Sequence, residues 1–164
     1  HVKEQLTIRD QFLKLVNSHQ KNIKAIFMGH THYDEIRKIN DANKKFTLLV
    51  TATPGITPQH NNNPGFKSWQ FSLKDYTLRN ATTYYTTPKH QSWYQYTFNQ
   101  TFRCWNKNTA SMRDCIQKNS TAELHQAVKE SYAVKNIHYV PKNNDWNNVY
   151  NAINVYSSKK TKIP

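Results

Sequence analysis

The residues best suited to chemistry in this 164-residue chain are His30, His32 and Asp34, at the end of the string Ile26-Phe27-Met28-Gly29-His30-Thr31-His32-Tyr33-Asp34. A neutral imidazole nitrogen is the commonest protein ligand for zinc-class metals. Here an apolar run that reads as a buried strand stops at Gly29, and two histidines follow at a spacing of two. If the backbone stays extended past the glycine, both imidazoles lean toward one point. Gly29, lacking a Cβ, would permit a sharp bend and a close approach to a ligand. On these residues alone two readings stand: a metal-binding H-x-H, or a loop carrying two solvated histidines.

A second stretch follows at a distance. Thr53-Pro54-Gly55-Ile56-Thr57-Pro58 leads to Asn62-Asn63-Pro64-Gly65-Phe66, and Phe71-Ser72-Leu73-Lys74-Asp75-Tyr76-Thr77-Leu78 comes next. Gly29-His30-Thr31-His32 resembles the G-H-x-H motif of the calcineurin-like metallophosphoesterases. With Asp34 it becomes G-H-T-H-x-D, which is similar to the acid sphingomyelinase-like branch. The proline- and asparagine-rich stretch resembles that branch's A-P-x-x-T-P … N-N-P-G-[IFY] segment. The resemblance runs over residues 8–86 and fades beyond them.

The resemblance implies a fold and a reaction. The fold would be α/β (α+β), the C-terminal half of a four-layer α/β/β/α sandwich followed by a small helical subdomain. The divisions would be 1–88, part of the catalytic domain, and 89–164. The reaction would be metal-dependent phosphodiester hydrolysis at two divalent ions, zinc by preference, with His30 and His32 as ligands to different ions. Asp34 would orient a histidine or a neighbouring basic group. The 54–66 loop would line the substrate cleft, with Thr57, His60, Asn62 and Asn63 meeting a phospholipid or nucleotide phosphoester.

The chain departs from the family pattern elsewhere. The family's D-x-H, G-D-x-x-D, G-N-H and H-x-P-x-G motifs do not occur, and all three glycines belong to the matched segments. Catalytic zinc normally keeps three protein ligands, so two histidines hold at most a half-site. The remaining ligands are therefore expected upstream of residue 1, in the N-terminal remainder of the same enzyme. His1 itself lacks the P-x-G context. Two other readings are a non-catalytic interaction fragment and a basic module that binds nucleic acid or a membrane surface.

The elements that must position these residues can be read from periodicity. Leu6, Arg9, Phe12, Leu13 and Val16 recur at helical spacing from Lys3 to His19. Strands are predicted over 23–28, 33–39 and 46–53, and a hairpin joins 66–73 to 76–86 around Lys74-Asp75. Residues 89–121 show no clear period. Thr121 reads as the N-cap of a helix carrying Leu124, Val128 and Tyr132, and Asn143-Asn144-Asp145 opens a second with Trp146, Val149, Tyr150 and Ile153.

Composition narrows the partners. Twenty-three Lys+Arg against 10 Asp+Glu give a formal charge of +13, which favours phosphate esters or an anionic membrane surface. It equally suits a basic but unspecific surface. Nucleic acid is disfavoured because no RNP string, zinc-finger spacing or basic zipper accompanies the lysines. Mean hydropathy is −0.90, and no apolar run approaches the roughly 20 residues needed to span a bilayer. Cys104 and Cys115 either form one disulfide, as the oxidising, extracytoplasmic or lysosome-like compartments of the resembled family would allow, or stay as buried thiols. Asn80, Asn99 and Asn119 open glycosylation sequons, relevant if the protein is secreted.

Overall fold

The structure, a computed structural model, describes residues 2–41, 43–89 and 92–156. His1 and the short lysine cluster Lys159-Lys160-Thr161-Lys162 of the sequence lie outside them. The architecture is mixed α/β with two sheets. The first takes the order β1–β3–β2–β7, from β1 (Ile26–Met28), β2 (Ile36–Asn40), β3 (Phe46–Ala52) and β7 (Asn154–Tyr156). The second takes the order β4–β5–β6, from β4 (Gly65–Phe71), β5 (Leu78–Tyr85) and β6 (Tyr94–Thr97). The strand that delivers the histidines, β1, pairs parallel with β3, so that Met28 lies opposite Ala52. Both chains therefore leave the sheet at the same edge. The H-x-H loop and the proline-rich loop begin side by side for that reason.

Alternation along β2 and β3 sends side chains to two separate cores. Ile39, Leu48 and Val50 pack against Leu13 and Val16 of α1 (Val2–Ser18). Ile36 and Leu49 face the other way, toward Leu78 and Ala81 of β5 and a group of helices. Those helices are α2 (Phe98–Thr101), α3 (Met112–Lys118), α4 (Thr121–Ser131) and α5 (Trp146–Ile153). Leu48 and Ile116 are wholly buried, so shortening either to alanine is worth about 2–5 kcal/mol. On α1 the periodic reading holds for Leu13 and Val16 but not for Phe12. Ile8, Phe12 and Leu15 form a second apolar face, 48–64% exposed.

Residues on either side of residue 88 pack together. β6 completes the second sheet, and β7 pairs with β2 in the first. Phe98, Met112, Leu124 and Ile153 share one core with Phe46 and Leu49. The described residues between 89 and 121, without legible period, hold the strand β6, the short helices α2 and α3, a 3-10 turn over Cys104–Lys107 and a disulfide joining Cys104 to Cys115 with Cα atoms 5.3 Å apart. The cap of α4 falls on Ser120, one residue before the predicted Thr121. Ser120 Oγ accepts from the Glu123 N–H, while the Glu123 carboxylate accepts from the Ser120 N–H at 2.7 Å. Among the described residues no helix is long and apolar enough to cross a membrane.

Candidate metal and substrate site

The bend after β1 falls on the histidines and not on the glycine. His30 and His32 have φ of 80° and 63°, in the left-handed region, whereas Gly29 is not among the positive-φ positions. The extended geometry expected past Gly29 is therefore broken by two left-handed residues that flank Thr31. A Cβ built on Gly29 would meet nothing within 4 Å, so the close approach expected there is not what this glycine serves. Non-glycine residues in this region are uncommon and cluster where the surrounding structure over-determines them.

At Gly55 the missing side chain makes room for a histidine. A Cβ there would lie 2.3 Å from His32 Nδ1 and 2.6 Å from its Cγ. The imidazole lies directly against the backbone of the proline-rich loop. His32 Nδ1 faces Thr57 Oγ1 at 3.2 Å and the Thr57 carbonyl at 3.5 Å, and the Gly55 N–H donates to the His32 carbonyl at 3.3 Å. His60, at φ 56°, brings its ring edge-on to His32 with centroids 6.5 Å apart. The Tyr33 hydroxyl donates to the His60 carbonyl at 3.0 Å. His32, Thr57 and His60 are thus brought together, and His30 stands exposed beside them in the chain.

Asn62 and Asn63, expected to meet substrate, are turned inward at 2% and 4% exposure. The Asn62 amide donates to the Asn63 carbonyl, and the Asn63 amide donates to the Val134 carbonyl at 2.9 Å. They serve as the loop's internal frame. The Asn63 backbone N–H also donates to the Ala133 carbonyl, and the Asp34 N–H to the Tyr132 carbonyl at 2.9 Å. Carbonyls at the end of a helix have no intrahelical partner. The two loops of the site supply partners for those that follow α4, so the C-terminal half of the chain fixes where the loops lie.

Asp34 is 7% exposed and receives three donors. Lys67 Nζ from β4 makes a short ion pair with it, Thr83 Oγ1 from β5 donates at 2.9 Å, and the Tyr96 hydroxyl from β6 donates at 2.6 Å. Lys67 also donates to the Ala52 carbonyl at the end of β3. The carboxylate two residues after His32 therefore ties the H-x-H loop to every strand of the second sheet. Its ion-pair partner is a lysine. Lys67 itself escaped the sequence reading. It shares the inward phase of β4 with Gly65 and Trp69, and a lysine in that phase is the signal that was available.

Burial, and next the charge of Asp34, pushes the Tyr96 phenol well above its usual range. Burial likewise raises Tyr132 and Tyr139. A phenol raised in the fold binds its proton more tightly there than in the unfolded chain. Stability from these tyrosines is then complete below the unfolded value of about 10 and is lost as pH rises beyond it. Urea unfolding at rising alkaline pH should show a falling midpoint, with a shallower fall for Tyr96→Phe. An identical slope in that variant would remove Tyr96 from the account.

Gly55→Ala should move His32 while sparing the fold, because the φ of Gly55 is not positive and the obstacle is one imidazole. In NMR spectra the His32 ring resonances should shift and those of His125, stacked on Tyr150 at 3.9 Å, should not. Unmoved His32 signals would contradict the close approach.

Among the described residues no group of three or more His, Cys, Asp or Glu is placed to hold a metal ion. The pair His30 and His32 does not by itself make up a metal centre.

No family model matches the chain. It is nonetheless a distant homologue of acid sphingomyelinase-like phosphodiesterases over part of their length. It is 25% identical over 133 residues to the mouse cyclic GMP-AMP phosphodiesterase SMPDL3A, covering 73% of this chain and 30% of that protein. To the sphingomyelinase phosphodiesterase D of Dictyostelium discoideum it is 32% identical over 79 residues, covering 46% and 18%. To the mouse acid sphingomyelinase-like phosphodiesterase 3b it is 26% identical over 88 residues, covering 48% and 19%. The chain thus spans less than a third of the length of these relatives.

Proposed function

We propose that this chain is the C-terminal part of a metallophosphoesterase sandwich and contributes His30 and His32 to a dinuclear, zinc-type centre that hydrolyses phosphodiesters. The observation that carries this reading is the seating of His32. A histidine two residues from a second histidine is locked against Gly55 and Thr57 of the other loop that resembles the family. The residues present fit half of such a centre, and the other ligands would come from the rest of a longer protein. When bound, the ions would lower the pKa of a bound water and neutralise charge on the phosphate.

The roles of this chain's own residues follow from their positions. Thr57 holds the His32 ring through Nδ1, which leaves Nε2 as the ligating nitrogen. Asp34 with Lys67 fixes the height of the loop over the second sheet. Thr57 and His60, both exposed, are the loop's contacts to the phosphoester, while Asn62 and Asn63 keep it in shape. Phospholipid and nucleotide esters share the phosphodiester this site would address, and the names of the relatives include both kinds of substrate. The outward apolar face of α1 is one surface that the remainder of the protein would cover. The disulfide favours a secreted or other extracytoplasmic location.

The test is hydrolysis of bis(p-nitrophenyl) phosphate by a longer form carrying the remaining ligands. Turnover should disappear with a chelator and return with zinc. A longer form that is inactive with any divalent ion, or active in excess chelator, would overturn the reading.

A further inference from the structure

The segment after α4 has a shape that the site alone does not require. Val134 and Lys135 adopt φ of 57° and 61°, and a β-branched residue in that region is an outlier. Val134 is wholly buried, and the turn is clamped by Asn63 on one side and by the Asn136 amide donating to the Asn61 carbonyl at 2.7 Å on the other. The consequence is an isoleucine pushed into water. Ile137 is 88% exposed, and Val140, three residues on, is 58% exposed.

Ile137 forms the ridge between two cavities. One, of about 390 Å³, is also lined by Asn63, Lys89, Lys135 and His138. The other, of about 320 Å³, is lined by Lys129, Lys135, Tyr139 and Trp146. Lys129 lies over the Trp146 ring at 5.8 Å, and Lys142 is exposed two residues after Val140. Glu130 is the carboxylate among the lining residues, and it already accepts a hydrogen bond from Gln126.

We propose that this ridge docks on an anionic phospholipid bilayer, with Ile137 entering the interface and the surrounding ammonium groups meeting lipid phosphates. The charge complementarity is direct, since Lys89, Lys129 and Lys135 line the two cavities against Glu130, and the nearby Asp145 carboxylate already accepts from Asn147 and Asn148. An aliphatic side chain ringed by cations suits the boundary between acyl chains and anionic headgroups. A nucleic acid would engage the lysines but leave Ile137 in water. Asn63, which clamps the turn, belongs to the loop that seats His32, so a docked ridge would present that loop to the membrane. The proposal does not rest on the phosphodiesterase reading, because vesicle binding is measured without hydrolysis.

Co-sedimentation of the present chain with phosphatidylcholine vesicles, with and without about one-third phosphatidylserine, tests it. Binding should require phosphatidylserine. Lys89→Ala with Lys129→Ala should weaken it about 25-fold, at roughly fivefold per lysine. Ile137→Ser should weaken it about tenfold. The charge-matched pair Lys21→Ala with Lys24→Ala, which lines a different cavity beside Asp75 and Asp114, should leave binding unchanged. Equal losses in the two lysine pairs would overturn the proposal, as would full binding by Ile137→Ser or no preference for phosphatidylserine.

Discussion

Lys67→Met should destabilise the fold by about 3–5 kcal/mol, the usual consequence of leaving one member of a buried ion pair alone. The side chains of Lys67 and Asp34 are 4% and 7% exposed. Without the ammonium, the Asp34 carboxylate keeps only the Thr83 and Tyr96 hydroxyls as side-chain donors. It must then stay charged at low dielectric or take up a proton. The double variant Asp34→Asn with Lys67→Met should recover part of the loss, because no buried charge is left unpaired. Urea denaturation of the two single variants and the double variant measures this directly. A loss below 1 kcal/mol in Lys67→Met, or strict additivity in the double, would contradict the role given to the pair.

The larger effect on activity should come from the histidines. In a longer active form, His30→Ala or His32→Ala should lower turnover by at least about 100-fold, more than is usual for removing a group that only orients a metal ligand. Stability should change by no more than about 0.5–1 kcal/mol, since neither side chain belongs to either hydrophobic core. A turnover near wild type in either variant would remove that histidine from the site.

Much of the framework was readable because it obeys simple periods. The helix before residue 19 repeats at spacings of three and four, the strand into the histidine loop is a short apolar run, and the hairpin alternates. Their observed bounds, such as Phe46–Ala52 against the expected 46–53, differ by a few residues at the frayed ends. The site was legible in its residue types but not in its geometry. Nothing local in Gly29-His30-Thr31-His32 says that the turns fall on the histidines. That choice is imposed by bonds to Gly55, Tyr132 and Thr57, which are far away in sequence. The same holds for Asn63, whose backbone N–H and amide donate to the Ala133 and Val134 carbonyls, and for Asn62, whose amide donates to the Asn63 carbonyl beside it. Residues 89–121 were opaque because their elements are only four to seven residues long, too short for a period to show. A disulfide between Cys104 and Cys115 closes a loop of about a dozen residues there, worth roughly 3 kcal/mol by its effect on the unfolded chain.

The most direct test of the central claim is the zinc content of a longer form that carries the remaining ligands, compared with its His30→Ala and His32→Ala variants. The wild-type protein should hold two zinc ions per chain. Each variant should lose at least one ion, or bind it with sharply lower affinity, with the fold intact by circular dichroism. Two tightly bound zinc ions in both variants would contradict the central claim.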